Sequence, residues 1–291
     1  MPGPESDGHA GGTSFEARYG PWAVVAGASD GVGAAYARAV AARGVSVVLL
    51  ARRPAELAEV ARDITGRFEN VQARPVAVDL TAEDALATIR AATDDLEVGT
   101  LMYCAGGDPV YEPFLANPVE VALALVQRNC VVSMRLCHHF AVPMVERGHG
   151  AIVLVASGAG LAGGPYMVAY GASKAFDIVM AEGLWAELHP KGIDVLAVVL
   201  GMTDTPSLRK ILTQRGVLAD PDDPMPVAGV MSVEDTVAEA LDNLADGPTL
   251  FVGDQLKTTA QYLRTVDRNE AVRLMVQGNG GIMQNDRTPA T

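Results

Sequence analysis

The chain has 291 residues, of which 49% are apolar and 20% charged, and its formal net charge is −13. That length suits one large α/β domain or two small ones, and the apolar share is ordinary for a well-packed globular protein. A large acidic surplus disfavours a nucleic-acid partner, because phosphate binding needs a concentrated basic surface.

Residues 1–18 are rich in Gly, Pro and Ser and lack the apolar core of a signal peptide, so they read as a flexible tail. From Pro21 onward short apolar runs alternate with helix-period segments. The predicted strands are residues 22–26, 45–50, 76–79, 101–104, 151–156 and 193–200, with a short seventh at 249–252. They are continuously apolar, as expected of parallel strands covered on both faces. Between them, Leu57, Val60, Ala61, Ile64 and Phe68 form one helical stripe, and Gly44 stands where a C-terminal glycine cap belongs. Repeated β-α units of this length predict a right-handed, doubly wound parallel sheet of Rossmann type, of about seven strands, in a single domain spanning 19–276.

Two long helices are predicted at 118–146 and 170–188, apolar over more than one face through Val121, Leu125, Val132, Leu136 and Phe176, Val179, Leu184, Trp185. A helix more apolar than its sheet can cover needs a second partner, so a homodimer or homotetramer is expected. The stretch 151–172 is the most apolar, but Gly158, Gly160, Gly163, Gly164 and Pro165 make it a poor membrane-spanning helix. Residues 206–231 break the β-α rhythm with three prolines. A loop that long is expected to be functional, here a mobile substrate lid whose Leu208, Ile211, Leu212, Val217, Leu218, Met225, Val227, Val230 and Met231 supply an apolar wall. One helix is expected over 255–275 and a frayed tail over 277–291. Cys104, Cys130 and Cys137 are an odd, sparse set, which fits a reducing, cytoplasmic setting. Adjacent Cys137, His138 and His139 diverge on a helix, so no metal site is expected.

The first chemical signal is Ala26-Gly27-Ala28-Ser29-Asp30-Gly31-Val32-Gly33, between the first strand and the first long helix. There Gly27 permits a tight turn, Gly31 lets a cofactor approach the backbone, and Gly33 lets helix pack on strand. The helix N-terminus favours an anionic pyrophosphate. The second signal is sharper. Tyr170 and Lys174 stand at i and i+4, one turn apart on one helix face, with Ser157 at the end of the fifth strand. An ammonium beside a phenol favours the phenolate, which lets a tyrosine exchange protons nearer neutral pH.

The G-x-x-x-G-x-G spacing, the Y-x-x-x-K motif and the preceding serine resemble the short-chain dehydrogenase/reductase family from Trp22 to about Thr205. The resemblance implies an NAD(P)-dependent oxidoreductase that reduces a ketone or aldehyde, or oxidises a secondary alcohol. It implies Tyr170 as general acid or base, Lys174 as its charge partner and ribose contact, Ser157 as donor to the reacting oxygen, and Asn129 as holder of a relay water. It also places Asp79-Leu80 at the adenine, Cys104-Ala105-Gly106 where the family has Asn-Ala-Gly, and Thr203 and Thr205 beside the nicotinamide. The chain departs from the pattern at Ala26, Cys104 and Leu200. No acid ends the second strand; Arg52 and Arg53 stand there instead, so NADP(H) is favoured over NAD(H), with Arg52 the stronger contact for a 2′-phosphate. Against that stands Asp30, an acid in the glycine turn. The expected partner is a small apolar carbonyl or alcohol. An epimerase or dehydratase using the same pair, and a non-catalytic dinucleotide sensor, are the alternatives.

Overall fold

A computed structural model describes residues 14–107, 111–226 and 229–279. Its centre is a parallel sheet of seven strands: β1 (Trp22–Ala26), β2 (Ser46–Ala51), β3 (Ala73–Ala77), β4 (Val98–Tyr103), β5 (Gly150–Ser157), β6 (Ile193–Leu200) and β7 (Thr249–Phe251). Their spatial order is β3-β2-β1-β4-β5-β6-β7, so the chain reverses direction of winding between β1 and β4. In open sheets of this kind ligands bind beyond the carboxyl ends of the strands at that reversal. Successive residues of one strand face opposite sides, which explains the continuous apolar runs. Val47 and Leu49 of β2 join one core with Tyr36, Leu57 and Ile64, while Val48 and Leu50 join the other with Leu101, Phe140 and Leu154.

The first face carries α2 (Gly31–Ala41), α3 (Pro54–Arg67) and α9 (Val233–Asp242); the other includes α4 (Ala85–Ala91), α5 (Val119–Val126), α6 (Ser133–Arg147) and α7 (Val168–Leu188). Gly44 ends the α2 turn with φ +87°. No helix among the described residues is long and apolar enough to cross a membrane.

Several expectations need correction. β3 begins three residues earlier than predicted and is half-exposed, as an edge strand can be. Arg74 and Pro75 hid it from an apolar scan, yet Pro is tolerated at an edge, and Arg74 is anchored to Asp95. The amino-terminal tail ends sooner than residue 18. Ser14 caps a short helix, α1 (Phe15–Tyr19), by accepting from Ala17 N. Buried Asp194 then accepts from Arg18 at 2.7 Å and from the Tyr19 hydroxyl at 2.8 Å. Residues 1–13 lie outside the described residues, as do 280–291. The predicted helix at 118–146 is α5 and α6 joined by a π-helical turn, Gln127–Val132. The predicted C-terminal helix is two, α10 (Asp254–Leu263) and α11 (Arg268–Asn279).

Residues 206–231 are not a loop throughout. They open with α8 (Pro206–Gln214), in which Pro206 occupies the first turn and Thr205 caps by accepting from Leu208 N at 3.1 Å. Proline at a helix start loses no hydrogen bond and is already at the helical φ. Leu212 and Leu218 are buried, whereas Val217 is exposed and Val227 lies outside the described residues.

Candidate active site

The glycine turn joins β1 to α2 at the sheet's reversal. Gly27 has φ +87°, and a Cβ there would stand 2.8 Å from Ala105 N. A Cβ on Gly33 would meet the Gly27 carbonyl at 2.2 Å. Both positions therefore require glycine for close packing of turn, helix and β4. At Gly31 the requirement is conformational, with φ +52°, since a Cβ there would meet Thr205 only at 3.6 Å. Asp30, the N-cap of α2, makes no side-chain bond to the helix amides. A phosphate fits donors of this kind at a helix N-terminus.

The catalytic candidates gather on β5, the π turn and α7. Ser157 ends β5, and its Oγ accepts from Ala159 N at 3.2 Å. The turn after it presses directly on α7, where a Cβ on Gly160 would stand 2.6 Å from Ala175 N and one on Gly171 2.8 Å from the Ala159 carbonyl. These two glycines bring the Ser157 turn against the helix that carries Tyr170 and Lys174. Tyr170 is half-buried and meets Tyr111 edge-on at 5.9 Å between ring centroids. Lys174 Nζ lies 5.9 Å from the Tyr170 ring centroid. It is buried and donates to the Val155 carbonyl at 2.7 Å and to Asp177 Oδ2 at 3.0 Å.

Asn129 sits fully buried in the π turn. Such single-turn bulges recur at functional sites because they redirect one side chain out of helical register. Asn129 Nδ2 donates to Gly106 O at 3.1 Å and to Ser173 Oγ at 2.8 Å, and its Oδ1 accepts from Arg128 Nε at 3.2 Å. Its backbone carbonyl accepts from Ser133 Oγ at 2.6 Å.

The remaining predicted residues frame the same end of the sheet. Arg53 donates to Asp30 Oδ2 at 2.5 Å and to Ser29 Oγ at 2.8 Å, while Arg52 is exposed beside it. Asp79 accepts from Thr81 N at 2.9 Å and Thr81 Oγ1 at 2.8 Å, and these bonds hold its carboxyl below the usual range with help from Arg52 and Arg128. Leu80 is buried in the core, and Val32 packs on the other face. Cys104 N donates to Ala26 O at 2.9 Å, so the backbone secures the end of β4 without the family's asparagine. Burial pushes its thiol up to about 12, which leaves it inert at neutral pH. Ala105 half-packs against the core, and Gly106 turns the chain towards Asn129. Thr203 is buried and bridges to Met231, and Thr205 caps α8.

Three functional neighbours were not foreseen from sequence: Ser173, Asp177 and Tyr111. Ser173 lies within the Y-x-x-x-K motif, where its spacing from Tyr170 could have flagged it. Tyr111, with φ +47°, had no local signal. Cys137 is buried, His138 exposed, and His139 packs on Phe140, so these neighbours point apart. Among the described residues no cluster of three or more His, Cys, Asp or Glu side chains is placed to hold a metal ion.

Known proteins align with this arrangement. The short chain dehydrogenase family model matches residues 21–216. The 7beta-hydroxysteroid dehydrogenase of Clostridium sardiniense is 30% identical over 264 residues, covering 89% of this chain and 95% of that protein. The very-long-chain 3-oxoacyl-CoA reductase of Macaca fascicularis is 35% identical over 195 residues, 65% of this chain and 62% of that protein. A solved 7beta-hydroxysteroid dehydrogenase superposes with TM-score 0.80 at 28% identity, covering 90% of this chain and 99% of the other. A short-chain dehydrogenase from Sphingobium yanoikuyae in complex with NADPH gives TM-score 0.71 at 29% identity, covering 93% and 98%. With a seven-stranded parallel sheet, a glycine turn at its reversal and a family match across most of its length, the chain belongs to the short-chain dehydrogenases and is an NAD(P)-dependent oxidoreductase of carbonyl or alcohol substrates.

Proposed function

We propose that the chain is an NADPH-preferring reductase of bulky apolar ketones, and the dehydrogenase of the corresponding secondary alcohols, working as a homo-oligomer. The observation that carries this reading is the buried Lys174 ammonium 5.9 Å from the Tyr170 ring, on a helix pressed against the turn of Ser157. The similarity to hydroxysteroid dehydrogenases over nearly full length supports a substrate of steroid-like bulk. The three unpaired cysteines fit a reducing, cytoplasmic setting.

The bound dinucleotide supplies or accepts the hydride. The backbone from Gly27 to Gly33 would hold its pyrophosphate, Asp79 and Leu80 its adenine end, Arg52 the 2′-phosphate, and Lys174 and the Thr205 hydroxyl its nicotinamide end. In reduction Tyr170 donates its proton to the oxygen on which charge develops, and Ser157 donates a hydrogen bond to the same oxygen. Asn129 fixes Gly106 and Ser173 around Lys174, and so holds the pocket floor in one arrangement.

A panel of steroid ketones, 3-oxoacyl thioesters and small ketones, followed by NADPH consumption, identifies the substrate class. Tyr170→Phe keeps the packed ring and loses only the exchangeable proton. It is expected to bind NADPH as the parent does and to lose far more than tenfold in kcat/KM. Retention of more than about a tenth, a loss of under about 1.4 kcal/mol in transition-state stabilisation, overturns the assignment of Tyr170.

A further inference from the structure

Asp177 is a carboxylate almost without solvent, 1% exposed, at the third residue beyond Lys174. Its Oδ2 takes a hydrogen bond from Lys174 Nζ at 3.0 Å, and its Oδ1 has no hydrogen-bond partner among the described residues. A lysine ammonium has three hydrogens. The Val155 carbonyl and Asp177 take two of them.

Among the described residues, the other charged group near the pair is Arg128, which donates to Asn129 Oδ1 and to the Gly107 carbonyl and whose field acts on Tyr103. Tyr103 on β4 and Cys130 and Cys137 on the π turn and α6 face Asp177, and Cys104 at the end of β4 faces Lys174. Burial holds all four protonated at neutral pH, and the field of Asp177 adds to this at Tyr103, Cys130 and Cys137. Lys174 is the cation that offsets the burial of Asp177, whose carboxyl is pushed above the usual range by loss of water.

We propose that Asp177 is a positioning residue of the active site, whose carboxylate holds the Lys174 ammonium against the Val155 carbonyl and partly cancels the charge that Tyr170 feels. This rests on the reading of Tyr170 as the proton-transfer residue. A bare ammonium favours the phenolate strongly; an ammonium paired at 3.0 Å acts at the ring as a dipole, with a weaker field. Removing the acid's charge is therefore expected to strengthen the field of Lys174 at the ring.

The test needs no substrate. Full-length protein is titrated while tyrosinate absorbance is recorded, and the share of Tyr170 is taken by subtracting the same titration of Tyr170→Phe. In Asp177→Asn, which keeps shape and an acceptor for Lys174, the midpoint of that share is expected to fall by about one pH unit. Asp177→Ser, smaller and also neutral, is expected to shift it in the same direction and serves if the first variant does not fold. A role confined to packing lowers Tm and leaves the midpoint where it was. A midpoint moved by less than about a quarter of a unit, or moved upward, overturns the proposal. Retained activity in Tyr170→Phe overturns the catalytic reading instead, so the two failures are separate.

Discussion

An acid in the glycine turn repels a 2′-phosphate, and Asp30 is such an acid. Arg53 lies on it at 2.5 Å, and the bonds to Asp30 and Ser29 commit that guanidinium to the turn. The turn is thereby near neutral, and Arg52 stands exposed beside Arg53 at the end of β2. NADPH is accordingly expected to bind more tightly than NADH. Arg52→Ala is expected to narrow the gap by about 1–3 kcal/mol, the scale of charge-assisted bonds. Fluorescence titration with both cofactors checks this, and equal affinities in the parent protein contradict it. Sequence carried this much because Arg, Asp and Gly at a strand-helix junction each have a fixed chemical meaning. Asp177 was invisible for the opposite reason. Asp177 is one of three acids on α7, with Glu182 and Glu187, and reads as solvated surface like them; only the packing of α7 on the sheet shows that it is buried against Lys174.

At the scale of elements, α8 and the residues after it are the part of the fold suited to closing over a substrate. Arg209 ties α8 to Asp204 at 2.6 Å and to the carbonyl of Asp223 at 2.9 Å, and Arg215 donates to the Tyr111 carbonyl. Since Tyr111 packs on Tyr170, a shift of this segment reaches the reacting tyrosine through one residue. Residues 215–226 have few buried side chains beyond Leu218, so local opening there costs little. Hydrogen exchange is expected to slow across 215–226 when NADPH and a substrate ketone bind, with α8 itself already protected. High protection in the free protein, unchanged on binding, excludes a lid. The central strands were legible because both sheet faces are covered there and their runs are mostly apolar, whereas Arg74 and Pro75 hid the start of the edge strand β3. α8 was not legible, because Pro206 reads as a helix breaker unless Thr205 is seen to cap it. The break between α10 and α11 was missed because Thr265, Val266 and Asp267 carry no glycine or proline.

For the whole molecule, the question is what covers the outer faces of α5, α6 and α7. Of the apolar residues that suggested an unpartnered face, Leu125, Val132 and Leu136 belong to the molecule's own core. Of the same set Val179 on α7 is 66% exposed, and the structure adds exposed apolar residues that the sequence reading did not name, among them Leu123, Val126 and Met134 along α5 and α6, at 58%, 40% and 51%. Leu123 and Val126 are three apart and share a face. Burying each such side chain contributes about 1.5–3 kcal/mol, enough together to hold two copies when the same patch meets itself about a twofold axis. Light scattering at micromolar concentration is therefore expected to give a dimer or tetramer, and Leu123→Asp with Val179→Asp to give monomers that remain folded. A monomeric mass for the parent protein contradicts this. Salt adds a sharper discrimination. Each copy carries a net charge of −13, so two copies repel one another over several ångströms of solvent. Added salt screens that repulsion within about 8–10 Å at physiological strength and leaves apolar burial intact. An apolar seam thus predicts an assembly that tightens as salt is raised, whereas one built on ion pairs loosens.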